Sequence, residues 1–421
     1  MTTQTQDHTT FDLDGRRDLR LLVGAVLVST AGDFLAIVAL ALSIRQTSAS
    51  GLAVAGLFIA LWSPAVVLAG FAGLVVDRFE NRAIIIAVSL AQVAVVCALA
   101  FADSTAAILA LTVLMGIGFA IAQPAEFALL PAAVGEDRLA VANGHLETAR
   151  YLGMTAGPLL GGALAAAGGT RLALLVDAAT FAAVAGAALA LRARRRPARA
   201  VAGAARDRAR DGIAFLFGDR VLALVMVVAV AALVFMTASA TAEVFFATDV
   251  LGAGDLGYGV LMTGWTLGMV LGAVVVARRV PRRAAIPAAL AFVVLQGAGI
   301  ALPTLWLALG FAVGAFVAGG IGHAAKNVVV RTLIHERVPD ALRGRAFAAY
   351  SGMRNAAELC ALAGGGLLVT AAGARWALFV AGAGGVAAGI AGLAAYGALR
   401  RRDGLPRRPR LANSRPAADS R

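Results

Sequence analysis

Apolar residues along this chain come in long continuous runs, separated by short polar segments that carry most of the arginines. A helix needs about 20 residues to cross the hydrocarbon core of a bilayer, whereas strands of a membrane barrel show alternating segments of about 10 residues. The runs therefore predict twelve transmembrane helices, near residues 20–44, 51–76, 83–102, 105–130, 143–167, 172–191, 221–248, 257–277, 284–302, 304–330, 346–370 and 375–399.

Composition supports an all-α membrane protein. Of the 421 residues, 60% are hydrophobic and 14% are charged, and the mean hydropathy is +0.83. Soluble domains carry about 25% charged residues. The net charge of +13 lies in alternate polar segments, as in cytoplasmic loops, so a nucleic-acid partner is not expected. The same pattern predicts a multi-pass protein of the inner or plasma membrane with both termini cytoplasmic.

The longest polar break divides six predicted spans from six. We expect a cytoplasmic N-terminal tail at 1–19, a six-helix bundle at 20–191, a cytoplasmic linker at 192–220, a second bundle at 221–399 and a cytoplasmic tail at 400–421. An internal repeat supports this halving, because Arg150 and Arg354 are 204 positions apart, as are Gly161 and Gly365. Two such halves predict a substrate path between them, near the middle of the bilayer.

The stretch from Gly144 to Gly162 is a membrane helix of unusual composition. Gly153, Gly157 and Gly161 recur every fourth residue, which places a smooth groove along one helix face. Pro158 lacks a backbone N–H and bends or loosens a helix. The stretch therefore predicts a bent helix that packs closely on another helix.

Spacing within this stretch resembles a motif of the Major Facilitator Superfamily of secondary transporters. The pattern Gly-x8-Gly-x3-Gly-Pro-x2-Gly-Gly, the antiporter motif of helix 5, is matched in six positions: Gly144, Gly153, Gly157, Pro158, Gly161 and Gly162. The resemblance implies the twelve-helix fold with two six-helix halves and transport by alternating access. In the superfamily this motif marks exporters, chiefly drug/proton antiporters.

A second motif lies between predicted helices 2 and 3. Residues 73–82 resemble the loop motif Gly-x3-Asp-Arg-x-Gly-Arg-Arg of the superfamily, which implies a cytoplasmic gate formed by Gly73, Asp77, Arg78 and Arg82. An aspartate there can bind a helix N-terminus or an arginine of a neighbouring helix. Residues 80 and 81 are Glu and Asn where the family has Gly and Arg, so the tight turn of the family is in question.

Shorter stretches resemble the macrolide-efflux subgroup of twelve-span drug exporters. They are Ala31-Gly-Asp33, Gln123-Pro-Ala-Glu126 with Leu130-Pro131, and the segment from Arg331 to Arg345. Siderophore and lipid exporters share similar features.

Ionisable residues inside the spans are functional candidates because burying them in hydrocarbon is costly. Asp33 has no basic residue within one turn, which suits a proton carrier, or else it bonds a neighbouring helix end. Glu126 can pair with Arg150 or Lys326, and can also carry a proton. Glu243 is a further proton or cation site, or it faces an external vestibule. Asp33, Glu126 and Glu243 are thus the candidates for proton coupling.

Predicted helices 5 and 11 each carry a pair of opposite charges. Glu147 and Arg150 are three positions apart, and Arg354 and Glu358 are four apart, so each pair can bridge on its own helix. Their symmetric placement predicts contacts between the halves that break when the gate opens; the alternative is substrate binding.

Polar groups in predicted helices 6 and 10 have structural interpretations as well. His323 can titrate or can simply be hydrogen-bonded, and Lys326 can neutralise an acid of a facing helix. Asp177 is expected near the outer surface.

Cys97 and Cys360 lie in apolar runs and are expected to be small core residues.

The sequence shows no phosphate loop, metal-ligand cluster or nucleophile–base arrangement. We therefore expect no enzyme activity, no metal and no cofactor. The expected partners are a small-molecule substrate, protons and the lipid bilayer, and the expected state is a monomer. The predicted function is secondary export of small apolar or cationic molecules, including drugs, by proton antiport. The alternatives are a proton-coupled importer or siderophore exporter of the same fold, or a lipid or lysolipid flippase.

Overall fold

A computed structural model describes residues 4–48, 50–135, 138–194 and 217–402. Most of the predicted linker and the tail from residue 403 lie outside these ranges. The helices are α1 Gln4–Ser48, α2 Gly51–Val67, α3 Ala69–Arg78, α4 Asn81–Ala100, α5 Thr105–Val134, α6 Leu139–Ala190, α7 Arg220–Phe245, α8 Gly254–Leu271, α9 Ala285–Ala301, α10 Leu309–Arg337 and α11 Asp340–Arg402. Short π segments follow at Phe246–Val250 and Gly272–Val276, and short 3-10 segments at Ala277–Arg279, Arg282–Ala284 and Leu302–Thr304.

Apolar helices of the described residues agree with twelve membrane crossings. Nine are long and apolar enough to cross a bilayer, and the bent pair α2 and α3 makes a tenth. Two of the nine, α6 and α11, are far longer than one crossing needs and contain a glycine with left-handed backbone, Gly169 and Gly373, each at φ 77°. Dividing both helices there raises the number of crossings among the described residues from ten to twelve. The protein is therefore an all-α, multi-pass membrane protein.

The chain reverses at the glycine inside α6. In the first arm, Gly153 lies against Leu27 of α1 and Gly161 lies against Leu35, so this arm runs parallel to α1. Just after the second arm, the backbone N–H groups of Arg192 and Ala193 donate to the carboxylate of Asp18, in the first third of α1. The second arm therefore runs antiparallel to α1, and the two arms are consecutive spans.

The second half repeats this geometry at the offset found in the sequence. Arg171 Nε donates to the carbonyl oxygen of Ala100 at 3.0 Å, and Arg375 Nε donates to that of Thr304 at 2.9 Å. Both members of these pairs are 204 positions apart, as are the two reversal glycines. Two halves of one architecture thus follow each other along the chain.

Predicted span 51–76 is two helices rather than one. α2 and α3 meet at Leu68 with a bend of 56°, one turn after Pro64. Proline removes a backbone hydrogen bond, which weakens the helix locally. The predicted tail 1–19 also differs, since it is helical from Gln4 and continuous with the first span.

Contacts between the halves gather at the end of the bundle away from the termini. Arg45 Nη1, at the end of α1, lies 3.1 Å from Asp249 Oδ1, and its Nη2 lies 3.9 Å from Asp255 Oδ1. Next to this ion pair in the bundle, Gly162 of α6 lies against Gly259 of α8. The repeat supplies the matching contact, because Gly366 of α11 lies against Gly51 and Ala55 of α2. The structure is closed at this end.

At the terminal end, ion pairs join residues of the same half. Arg337 bonds Asp219 at 2.6 Å within the second half, and Arg194 lies 3.7 Å from Glu80 within the first. The prediction that both cysteines are core residues is wrong for Cys360, which is exposed on α11, whereas Cys97 is half-buried.

Candidate functional site

A cavity of about 530 Å³ lies inside the first half, on the terminal side of the closed end. Its wall combines two carboxylates and one guanidinium with aromatic and amide side chains. These residues are Asp33, Glu126, Arg150, Phe34, Trp62, Phe119, Phe181, Gln92 and Gln123. The cavity therefore joins negative charge with a mostly apolar surface.

Asp33 reaches this cavity from the middle of α1. Its Oδ1 is shielded from solvent and has no hydrogen-bond partner in the described part of the chain. Ionised, the group would be an incompletely solvated charge in the interior, which is costly. The side chain can thus exchange between a protonated state and an ionised state that attracts a cation.

Glu126 and Arg150 line the same cavity from α5 and α6. The ion-pair partner of Arg150 is Glu147, one turn earlier, with Nε 3.8 Å from Oε1, and the guanidinium also lies 5.5 Å from the centre of the Phe127 ring. Glu147 itself is half exposed. The structure therefore brings Arg150 to the wall that holds both carboxylates, with its charge shared among several groups.

A second cavity of about 330 Å³ extends this space toward the second half. Trp62 and Ala65 line both cavities, and the opposite wall is supplied by Met236, Thr237, Ala240, Asn355 and Glu358. Arg354 Nη2 donates to Glu358 Oε1 at 3.3 Å on α11. The combined space thus lies between the halves, where the repeat predicts a substrate path.

Lys326 and His323 of α10 are turned into the second half. Lys326 is buried, and its Nζ donates to Gln296 Oε1 at 2.9 Å; the Gln296 amide in turn donates to the carbonyl oxygen of Ala232. His323 Nε2 lies 2.9 Å from the amide nitrogen of Asn327. These contacts tie α7, α9 and α10 together, and Lys326 has Gln296 as its partner where pairing with Glu126 was one expectation.

Glu243 lies on α7, behind the closed end. Its Oε1 accepts a hydrogen bond of 3.1 Å from Ser239, one turn earlier. It does not line either of the two cavities described above. The structure therefore separates Glu243 from Asp33 and Glu126.

The glycine motif has two packing faces. A Cβ at Gly153, Gly157 or Gly161 would lie 2.6–2.8 Å from a backbone oxygen of α1, so this face admits only glycine. On the other face, a Cβ at Gly259 would collide with the carbonyl oxygen of Pro158 and lie 3.0 Å from Gly162. Gly144, in contrast, faces open space. Helical backbone continues through Pro158, and the break comes later, at the reversal glycine.

Part of the loop motif between α3 and α4 is exposed, and part of it is hydrogen-bonded to neighbouring helices. Asp77 and Arg78 are exposed, Gly73 faces open space, and Arg82 donates to the carbonyl oxygen of Leu189 at 2.7 Å. Asn81, which stands where the family motif has Arg, is buried. Its amide nitrogen, oriented toward the end of α3, donates to the carbonyl oxygens of Val76 and Phe79 at 3.0 and 3.3 Å. Asn81 thus stabilises the turn from the inside. Arg343 and Arg345 of the subgroup resemblance lie outside the described side chains.

Sequence reasoning missed three features of this region. Asp177 was expected near the outer surface, but it is fully buried against α1. Gln92 lines the cavity and donates to the carbonyl oxygen of Met115 at 2.8 Å. The bridge from Arg45 to Asp249 closes one end. The repeat offset of 204 was an available signal for this bridge, since it relates these two residues.

Comparison with known proteins decides the family. The family model described as Major Facilitator Superfamily matches residues 22–355. The chain belongs to the Major Facilitator Superfamily. Its members and the structural neighbours below are transporters, which bind small-molecule substrates. No curated protein sequence matches the chain.

Solved structures with the same fold are distant in sequence. The nucleoside transporter NupG is 14% identical, with 90% of this chain and 99% of that chain covered and a TM-score of 0.69. A bacterial homologue of the iron transporter ferroportin is 15% identical, with 90% and 98% covered and a TM-score of 0.70. A bacterial homologue of the human lysosomal transporter Spinster is 16% identical, with 90% and 96% covered and a TM-score of 0.69. At these identities the likeness concerns the fold.

Proposed function

We propose that this superfamily member is a secondary active exporter of small apolar or cationic, drug-like molecules, driven by proton antiport. It acts as a monomer in the cell membrane with both termini cytoplasmic. The observation that supports this most is the cavity of about 530 Å³ with Asp33 and Glu126 on an aromatic wall. Its volume lies in the range of about 300–1,000 Å³ typical of small-molecule sites.

Antiport follows from competition at one set of carboxylates. A cationic substrate binds best when Asp33 and Glu126 are ionised, and a proton neutralises the same groups. Substrate and proton therefore exclude each other, which is the requirement for exchange. Aromatic faces, led by Trp62, add attraction for cations and for apolar rings.

Alternating access rests on the contacts at the two ends. In the state described, Arg45 and Asp249 hold the far end closed, and this state offers the cavity to the cytoplasm in the proposed orientation. The pairs Glu147–Arg150 and Arg354–Glu358 lie within their own helices here. On closure of the cytoplasmic end we expect these pairs and the Asp77–Arg78 loop to exchange partners across the halves.

Export rather than import rests on the glycine motif, which in the superfamily marks exporters. A proton-coupled importer and a siderophore exporter remain the alternatives of the same fold. The solved structures it resembles include nucleoside and iron transporter folds, so fold alone does not choose the substrate. The acidic, aromatic cavity favours cations over both anionic and strongly polar substrates.

Transport in sealed vesicles tests the proposal. Inside-out vesicles containing the protein should accumulate a lipophilic cation when their interior is made acidic, and collapse of the pH gradient should release it. Vesicles that contain the Asp33→Asn/Glu126→Gln variant serve as the control. Accumulation only when the exterior is the acidic side would favour the importer, because symport carries the substrate inward with the proton, and no gradient-dependent flux for a broad panel of cations would contradict proton antiport.

A lipid or lysolipid flippase is the second candidate. It is favoured by the smaller cavity, which lies beside α2 and α11, where a lateral opening would admit an acyl chain. Glu358 and Asn355 on this wall weaken the case, since acyl chains gain nothing from them. Movement of a fluorescent lysolipid between leaflets of proteoliposomes, faster than in protein-free vesicles, would support this candidate.

A further inference from the structure

Asp177 is a buried acid that the cavity and the gates do not use. It lies on the second arm of α6, is 0% exposed, and accepts a 3.1 Å hydrogen bond from Thr180 at Oδ1. Its other oxygen, Oδ2, has no hydrogen-bond partner among the residues that the structure describes. A carboxylate with an unsatisfied oxygen in a bundle interior is costly when ionised, so this group has a reason to hold a proton.

Gly32 brings this acid against α1. A Cβ at Gly32 would collide with both the Asp177 carboxylate and the Thr180 hydroxyl, so only glycine permits this approach. The next residue in the chain is Asp33, which reaches the cavity and also has an orphan oxygen. Asp177 of α6 therefore packs on α1 at the position directly before Asp33, and the two carboxyl groups belong to neighbouring helices in contact at this point.

Charges around this pair do not neutralise it. Asp33, Glu126 and Arg150 line one cavity and Asp177 packs beside Asp33, which makes three carboxyl groups for one guanidinium. Arg150 is shared with Glu147 on its own helix. Several like charges gathered in a poorly solvated interior favour retention of a proton among them.

We propose that Asp177 is a second proton-binding carboxyl of the transport cycle, coupled to Asp33 across Gly32. Asp33 is exposed to the cavity, where a cation displaces the proton, and Asp177 lies behind it, out of reach of the substrate. Ionisation of both groups would place two like charges side by side, so the pair as a unit retains a proton at neutral pH, and removal of either carboxyl weakens that retention. The coupled pair, and not Asp33 alone, then sets the pH at which substrate displaces a proton. This inference rests on the proposed antiport.

Proton release on substrate binding tests the pair. Tetraphenylphosphonium is added to weakly buffered, detergent-purified protein with a pH indicator dye, over a range of pH. We expect the wild type to release protons at neutral pH, and Asp177→Asn to release fewer there and to regain release only at lower pH. Asp103→Asn, which removes an exposed acid, is the control and should match the wild type. An unchanged pH dependence in Asp177→Asn would overturn the proposal.

Infrared spectroscopy keeps the proposal testable if Asp177→Asn does not fold. With carboxyl-labelled aspartate, the label distinguishes protonated Asp groups from Glu126 and Glu243. In Asp33→Asn at neutral pH, a protonated-Asp band should remain and should be lost as the pH rises. Its absence would show an ionised Asp177 and overturn the proposal. Failure of the wild type to release any proton would count against the proposed antiport, whereas the infrared band tests Asp177 independently of substrate.

Discussion

Arg45 and Asp249 are 204 positions apart in the chain, and their side chains meet 3.1 Å apart across the two halves. The same offset relates Arg171 to Arg375 and Gly169 to Gly373. The ion pair therefore joins positions that the internal repeat makes equivalent, which places it at the symmetry axis of the closed end. Both side chains are partly exposed, so the pair adds little to folding stability, and its effect is on the balance between two states.

Arg45→Gln is expected to favour opening of this end. An exposed ion pair contributes at most about 1 kcal/mol, which is about fivefold in the ratio of two states. Spin labels at residues 103 and 307, in a cysteine-free background, would report the distance between the halves at this end by double electron–electron resonance spectroscopy. Arg171→Gln, which breaks a bond within one half, is the control. Identical distance distributions in Arg45→Gln and wild type would contradict the assignment of this pair to closure.

Substitutions within the glycine motif should differ sharply by position. Gly157→Ala places a Cβ 2.6 Å from the carbonyl oxygen of Ala31, and the resulting strain should cost about 1–3 kcal/mol. Gly144→Ala meets nothing within 4 Å and should be neutral or slightly stabilising. Melting temperatures of the two variants in detergent would check this. Equal losses would mean that the motif does not depend on contact with α1.

Gln92 and Gln296 are 204 positions apart and therefore equivalent in the repeat. Substituting each of them tests the hydrogen bonds that run from Lys326 through Gln296 to Ala232 in the second half. Gln296→Leu leaves the buried ammonium of Lys326 without its partner, whereas Gln92→Leu removes only a bond to the carbonyl oxygen of Met115. A buried group left unsatisfied costs about 1–3 kcal/mol, and more if it is charged. Gln296→Leu should therefore lower the melting temperature more than Gln92→Leu. The reverse order would show that Lys326 finds another partner.

Asp219 predicts an acid-dependent contribution to stability. It caps α7 by accepting from the N–H groups of Val221 and Leu222, and it bonds Arg337 at 2.6 Å. Burial raises the pKa of the Asp219 carboxyl, but the Leu222 N–H and the Arg337 guanidinium lower it more, so its pKa lies below the usual value of 3.8. Its stabilisation is therefore fully present above pH about 4 and is lost as the pH falls through the folded-state pKa.

Asp219→Ala should accordingly lose about 1 kcal/mol at neutral pH, the usual value of a lost helix cap. The difference in melting temperature between the variant and wild type should shrink below pH about 4. A difference that is constant down to low pH would assign the effect to packing instead of to the charge.

Sequence alone predicted the spans and the repeat because both depend on local composition. The reversals at Gly169 and Gly373 fall inside the predicted loops after residues 167 and 370. Burial could not be predicted in the same way, since lipid-facing and core-facing residues of a membrane helix are equally apolar. Cys360 was placed in the core for this reason, yet it is exposed.

Asp177 shows the same limit for polar residues. Its sequence neighbours do not tell which helix it faces, and that depends on the packing of α6 on Gly32. The charge pairs at 147–150 and 354–358 were predictable because they follow helix periodicity. The break of α2 at Leu68 was not predicted from Pro64, since a proline in a membrane helix is often accommodated without one.

Gradient-driven transport by Asp33→Asn in proteoliposomes is the most direct test of whether Asp33 couples substrate to protons. Purified wild type and variant are reconstituted, and flux of the same lipophilic cation is measured with a pH gradient and, separately, as exchange without one. We predict that Asp33→Asn folds with an unchanged melting profile and loses uptake driven by the gradient. Gradient-driven uptake by Asp33→Asn at the wild-type rate would show that Asp33 does not carry the coupled proton.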